Sequence, residues 1–157
     1  MLPPFSIVIP AFNEADNVGP LAREILTVLP ADAVFEVIFI DDASTDATAD
    51  AVLAMRAEDS RVRLLRHRHN AGQSAAIRNG AKIALYDWVV TMDGDGQNDP
   101  ADIPSLFTLL DGAQAEPPLG LLGGLRLKRQ DVFARRLVSR AANAIRQAVL
   151  RDNCRDT

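Results

Sequence analysis

The chain has 157 residues, 48% apolar and 24% charged, with one Cys and a formal net charge of −4. These figures exclude a disordered chain and a disulfide scaffold, and there is no Gly-X-Y repeat to suggest collagen. A chain of this length buries roughly 68–70% of its unfolded surface, so a single core-forming domain over residues 1–157 is expected.

Ser6-Ile-Val-Ile-Pro10 is a short apolar run stopped by Pro, and reads as a first buried strand. Val18, Leu21, Ala22, Ile25 and Leu29 then form one helical stripe, with Asn13 as its expected cap. Val34–Ile40 is β-branched and aromatic, broken only by Glu36, and ends on Asp41 and Asp42. Ser44 or Thr45 is expected to cap a helix through Ala57, with Ala51, Val52 and Met55 inward. Val62–Arg66 predicts a third strand. Ser74–Leu85 predicts a helix whose line of Ala76, Gly80 and Ala84 lets it lie close to a sheet. Trp88–Met92 predicts a fourth strand, running into Asp93. Strands alternating with helices point to an α/β domain with a mostly parallel sheet, because parallel strands need crossover connections. Beyond it, residues 113–118 read as a loop and 130–150 as a long helix with Phe133, Leu137, Ala141, Ile145 and Val149 inward.

Charge divides the chain. Residues 1–125 carry 8 Lys+Arg against 18 Asp+Glu, or −10, and residues 126–157 carry 9 against 3, or +6. A basic segment suits anionic lipid, a phosphorylated substrate or nucleic acid, or is simply a solvated helix face. With Phe133 as its one aromatic, needed in the apolar stripe, it leaves none for base stacking, and no nucleic-acid partner is expected. No apolar run approaches the about 20 residues of a membrane-spanning helix. The N-terminus lacks a basic leader region and Cys154 is alone, so a cytoplasmic chain is expected.

In open parallel sheets ligands bind outside the carboxyl ends of strands, which is where the acidic residues cluster. Asp93-Gly-Asp-Gly-Gln-Asn-Asp99 offers hard oxygens from Asp93, Asp95 and Gln97 to Mg²⁺ or Mn²⁺, or is a turn using Asp, Gly and Asn for their backbone preferences. An EF-hand is excluded, since Asn98 stands where it needs Gly and Pro104 where it needs Glu. Asp41 and Asp42 suit a ligand or a helix cap equally. His67 and His69 lack a third ligand nearby and read as polar loop residues, and Cys154 has no activating partner beyond Arg151 and Arg155. Common phosphate-loop and serine-hydrolase motifs are missing.

Taken in order, SIVIPAFNE, VIFIDDASTDAT, NAGQSAAIRNGAKIA, TMDGDGQNDP and GLRLKRQD resemble the inverting family-two glycosyltransferases of GT-A fold, over nearly all the chain. The nearest likeness is to dolichyl- and polyprenyl-phosphate sugar transferases, which move a sugar from a nucleotide donor to a membrane lipid phosphate. The resemblance implies a three-layer α/β/α, Rossmann-like domain, incomplete at its C-terminus. Residues 1–100 would form the nucleotide-sugar and metal half, and 118–157 the start of the acceptor half. It also implies that Pro10, Phe12 and Glu14 line the base and ribose pocket and that Asp41 or Asp42 reads the base. Asp93, Asp95 and Gln97 would hold Mg²⁺ or Mn²⁺ on the diphosphate. Arg126, Arg135 and Ser139 would receive the acceptor phosphate, with Arg129 or Arg136 as alternatives to Arg135; Asp95 and Arg126 would be catalytic. Peripheral contact with the cytoplasmic face of a membrane follows. Departures from the family pattern are Phe12, where a hydroxylated aromatic is common, Gly94 and Gly96, where bulkier residues are usual, and an end at Thr157 that relatives run past. Competing expectations are a non-catalytic nucleotide-sugar-binding fragment and a flavodoxin-like phosphoacceptor domain built on Asp41 and Asp42.

Overall fold

The computed structural model describes residues 2–112. Strands and helices alternate there as β1 (Phe5–Ala11), α1 (Ala15–Val28), β2 (Phe35–Asp41), α2 (Thr48–Glu58), β3 (Val62–Arg66), α3 (Gln73–Ile83), β4 (Trp88–Thr91) and α4 (Ile103–Gly112). All four expected strands are present, and every pairing is parallel, in the order β3-β2-β1-β4. A flavodoxin-like order would place β1 between β2 and β3, whereas here β2 lies between β3 and β1, and β1 lies between β2 and β4, so the phosphoacceptor alternative loses its fold. The loop over 113–118 and the helix over 130–150 lie outside the described residues.

Two side-chain sets leave the sheet in opposite directions. Phe5, Ile7 and Ile9 of β1 and Phe35, Val37 and Phe39 of β2 pack with Val18, Leu21 and Ile25 of α1 and Val52 and Met55 of α2. Val8, Ile38 and Ile40 pack on Ala76 of α3. That is the three-layer arrangement, and it explains why β2, buried at all its positions, reads as a nearly unbroken apolar run. On the α3 side the helix comes very close: a Cβ on Gly80 would lie 2.3 Å from Val8 Cγ1 and 3.1 Å from Ile40 Cδ1.

Glu36 is the one charge inside that run, 3% exposed. Ser6 Oγ donates to it at 2.6 Å, the Leu85 N–H at 2.6 Å, and the Arg63 guanidinium pairs with its other oxygen. Burial alone would push this carboxyl up; the hydrogen bonds from Ser6, Leu85 and Arg63, with the Arg63 charge, outweigh burial and hold it below the ordinary carboxylate range. Arg63 also donates to the Ile83 carbonyl at the end of α3. One carboxylate thus ties β1, β2, β3 and the turn before β4.

The helix starts differ from expectation. α1 begins at Ala15 and takes no cap from Asn13, and α2 begins at Thr48 instead of after Ser44 or Thr45. The start of α1 is instead satisfied across the fold by Thr48 and Asp46, while the Thr48 N–H that opens α2 goes to Asp46 Oδ1, two residues earlier. Sequence reading also missed α4. Its signals are the Asp99 cap, whose Oδ1 accepts the Ala101 N–H at 2.8 Å, Pro100 at the first position of a 3-10 turn, and Ile103 and Phe107 four apart. Phe107 anchors the helix against Phe5, 5.0 Å between ring centroids, and edge-on to Trp88 at 6.0 Å. Among the described residues no helix is long and apolar enough to cross a membrane.

Two outcomes are expected from these contacts. Gly80→Ala forces its methyl into β-branched Val8 and destabilises by about 1–3 kcal/mol in urea unfolding, the range for overpacked cores. Glu36→Gln removes charge-assisted bonds and costs about 2–3 kcal/mol at neutral pH. Because the folded pKa of Glu36 is depressed, its contribution is fully present above the unfolded value of about 4.3 and is lost as pH falls through the lower folded value. Stabilities of parent and variant measured from pH 7 down to pH 3 should therefore converge on the acid side; a constant difference contradicts this role.

Candidate functional site

β1, β2 and β3 step outward in one direction with α1 and α2 over one face, and α3 carries the chain back over the other face to β4, on the far side of β1. Connections therefore part between β1 and β4, and a crevice opens outside their carboxyl ends. A cleft of about 430 Å³ lies there. Its walls come from Pro10, Ala11, Phe12 and Glu14 at the end of β1, Asp42 after β2, Asn70, Gly72 and Gln73 after β3 and Asp93 to Asp95 after β4. Among the described residues, four carboxylates, Glu14, Asp42, Asp93 and Asp95, line it, and no Lys, Arg or His does.

The β1 wall is held by the loop before α2. Asn13 takes the left-handed conformation at φ 58, accepts from the Thr45 N–H at 2.9 Å and gives its own N–H to Ser44 Oγ at 3.0 Å. Thr48 Oγ1 accepts from the Glu14 N–H at 2.8 Å, and Asp46 accepts from the Ala15 N–H at 3.2 Å. These bonds do the capping that α1 lacks locally, and they fix the turn that carries Phe12, 47% exposed at the rim.

Asp41 and Asp42 separate. Asp41 is fully buried and does not line the cleft; its Oδ1 accepts from the Ser44 N–H at 2.8 Å. Arg66 Nε stands 2.9 Å from Asp41 Oδ2, close enough for an ion pair but off the hydrogen-bond direction, so that oxygen has no hydrogen-bond donor among the described residues. Asp42 faces the cleft and accepts from His67 Nδ1 at 2.7 Å, the Ala71 N–H at 2.8 Å and the Gly72 N–H at 2.7 Å. Burial would raise its pKa, but the bonds from Ala71, His67 and Gly72 prevail and keep it ionised below the usual range.

On the β4 wall the acidic loop serves both chemistries considered for it. Asp93 gives its N–H to Asn98 Oδ1, Asp95 Oδ1 accepts the Gln97 N–H at 3.0 Å, and Asp99 caps the 3-10 turn, so each has a turn-forming task. Gln73 Nε2 donates to Asp93 Oδ1 at 2.8 Å. Asp93 Oδ2 and Asp95 Oδ2 accept no hydrogen bond among the described residues. Hard carboxylate oxygens left uncommitted, in a cleft lined by no Lys, Arg or His among the described residues, suit a divalent cation. Gln97 is exposed and is not part of the cleft wall. Gly94 is required by contact: a Cβ there would lie 2.8 Å from the Pro10 carbonyl oxygen, so the loop can lie against β1 only without a side chain. Gly96 sits at φ 72, a conformation glycine adopts freely.

The structure thus gathers Pro10, Phe12, Glu14, Asp42, Asp93 and Asp95 at one cleft. Arg126, Arg135 and Ser139 lie outside the described residues. Sequence reading missed Asn70, Gly72 and Gln73 as cleft residues, although a Gly opening a helix at the carboxyl end of a strand is the signal that finds them.

Comparison with known proteins agrees with this architecture. The mannosyltransferase PcManGT of Pyrobaculum calidifontis, solved with GDP-Man and Mn²⁺, superposes with a TM-score of 0.56 at 24% identity, over 67% of this chain and 31% of that one. S. aureus TarS 1-349, solved with UDP-GlcNAc, gives 0.57 at 20% identity, over 70% and 32%. The fold is that of the GT-A glycosyltransferases. By sequence the chain is 39% identical over 141 residues to dodecaprenyl-phosphate galacturonate synthase of Rhizobium johnstonii, covering 88% of this chain and 40% of the relative. It is 37% identical over 145 residues to the undecaprenyl-phosphate 4-deoxy-4-formamido-L-arabinose transferase of Sodalis glossinidius, covering 90% and 43%. The chain spans about two fifths of the length of these relatives. The glycosyl transferase family 2 model matches residues 6–156, and the chain belongs to that family.

Proposed function

We propose that this chain carries the donor site of a metal-dependent, inverting glycosyltransferase that moves a sugar from a UDP- or GDP-sugar to a polyprenyl or dolichyl phosphate. The observation that carries the reading is the cleft at the β1/β4 switch point, lined among the described residues by four carboxylates and no Lys, Arg or His, with two carboxylate oxygens that accept no hydrogen bond there. A nucleotide diphosphate entering it alone meets repulsion; entering with a divalent cation it meets ligands. The relatives named for dodecaprenyl- and undecaprenyl-phosphate transfer support the acceptor class.

In this reading Asp93 and Asp95 hold Mg²⁺ or Mn²⁺, with Gln97 nearby on the same loop. When bound, the cation offsets charge developing on the leaving diphosphate. Phe12 offers an exposed ring at the rim to the base, beside Pro10 and Glu14. Arg126, Arg135 and Ser139 receive the acceptor phosphate, which has a second pKa near ~6 and is already a nucleophile at neutral pH. No protein base is needed for it, so the protein's part is placement and charge. A single in-line displacement inverts the anomeric centre.

The acceptor is a membrane lipid, so the enzyme works at the cytoplasmic face through the basic segment 126–157, of charge +6.

Calorimetric titration of UDP and GDP tests the donor half: one of them binds with Mn²⁺ and loses at least about tenfold, ~1.4 kcal/mol, in Asp95→Ala. Equal affinity in parent and variant removes Asp95 from the site. The membrane half predicts salt-sensitive co-sedimentation with anionic vesicles, since each Lys or Arg contributes about 1 kcal/mol and fades within a Debye length. Replacing Arg135 and Arg136 by Ala should weaken it, and tighter binding to an oligonucleotide at the same ionic strength contradicts the lipid assignment.

A further inference from the structure

Asp42 is held from behind by a residue that does not itself line the cleft. The His67 side chain, 11% exposed, places Nδ1 2.7 Å from Asp42 Oδ1, and its Nε2 lies 3.0 Å from Asn79 Nδ2 on α3. An amide NH₂ only donates, so Nε2 accepts and Nδ1 carries the hydrogen, which points at Asp42. The same carboxylate takes the Ala71 and Gly72 N–H groups, and the next residue, Gln73, reaches Asp93.

This turn has little else to hold it. Gly72 lies at φ 86, a Cβ built there would meet nothing within 4 Å, and Asn70, Ala71 and Gln73 are exposed. Packing does not fix residues 70–73; hydrogen bonds to Asp42 do. The orientation of Asp42 therefore decides where the turn sits, and with it whether Gln73 holds Asp93 Oδ1 and leaves Oδ2 toward the cleft. Among the described residues His67 supplies the one side-chain donor to Asp42, and Asn79 fixes which of its nitrogens does so.

We propose that His67 is a positioning residue of the donor site: as the Nδ1–H tautomer set by Asn79, it orients Asp42 and the 70–73 turn, and through Gln73 the cation-binding Asp93. The proposal rests on the nucleotide-sugar reading of the cleft. The order Asn79, His67, Asp42, turn 70–73, Gln73, Asp93 makes one hydrogen-bonded path from α3 to the β4 loop.

His67→Leu keeps bulk and deletes the donor, and His67→Asn places an amide N–H near the position of Nδ1. Calorimetry with UDP and GDP at saturating Mn²⁺ should show about tenfold weaker binding in His67→Leu, as expected for a lost hydrogen bond to a charged group, and binding within about twofold of the parent in His67→Asn. A merely structural histidine would lower the unfolding midpoint in both variants while leaving the affinity of the folded protein unchanged. Imidazole ¹⁵N NMR of the parent chain supplies a readout that does not depend on either variant folding, and should report His67 protonated on Nδ1. Parent-like affinity in His67→Leu, an Nε2–H tautomer, or failure of His67→Asn to restore binding overturns the positioning role alone. A parent that binds neither nucleotide overturns the donor reading and this role together.

Discussion

Parallel pairing obliges every connection in this domain to travel from the carboxyl edge of the sheet back to its amino edge, so each helix starts at the carboxyl edge. All the loops that begin helices are therefore neighbours. With the order β3-β2-β1-β4, the chain leaves β1 toward one side and meets β4 on the other, and no connection between the described strands covers the gap between them. The cleft is a consequence of strand order. Its chemistry then depends on which residues stand at the strand ends, and here those include Pro10 and Ala11, Asp41 and Asp42, and Asp93.

Loops gathered in this way must satisfy their own backbone groups, and they do so through one another. Asn13 and Asp46 cross-link the loops after β1 and β2, while Asp42 collects the turn after β3. Gln73 passes the connection on to the loop after β4. The side chains that form the cleft are thus also the ones that hold its walls. Glu36 does a comparable job at the opposite edge, where Ser6, Arg63 and Leu85 converge on it, away from the cleft.

Much of this was legible in the sequence, and the division between what was and was not follows from range. Strands β1 to β4 and the apolar stripe of α1 depend on local periodicity, which a single sequence displays. Gly80 and Ala76 were legible because a line of small residues has one main use on a helix against a sheet. The α1 cap was misassigned because the groups that satisfy its start, Asp46 for Ala15 and Thr48 for Glu14, come from more than thirty residues away in the chain. The same range hid the split between Asp41 and Asp42: adjacent strand-end residues point to opposite sides of the chain, and only the sheet's placement decides which one is buried. His67 read as a loop histidine since neither Asp42 nor Asn79 is near it in sequence. Gly94 looked like a departure from the family pattern, and the nearness of the Pro10 carbonyl accounts for it.

Opposite charges on the two parts of the sequence complete the physical picture of the proposed transfer. A cleft walled by Glu14, Asp42, Asp93 and Asp95 repels a free phosphate, so it cannot serve both substrates by itself. In the proposed reading it favours the anion that brings a cation with it, which a nucleotide diphosphate does and a lipid monophosphate does poorly. The acceptor phosphate then needs cations supplied by the protein, and the charge of +6 over residues 126–157 is where the sequence carries them. Separating the two solutions, an exchangeable ion for the donor and fixed arginines for the acceptor, keeps the two anionic substrates from competing for one site. In the proposed transfer, donor binding then follows metal concentration, and acceptor binding follows ionic strength.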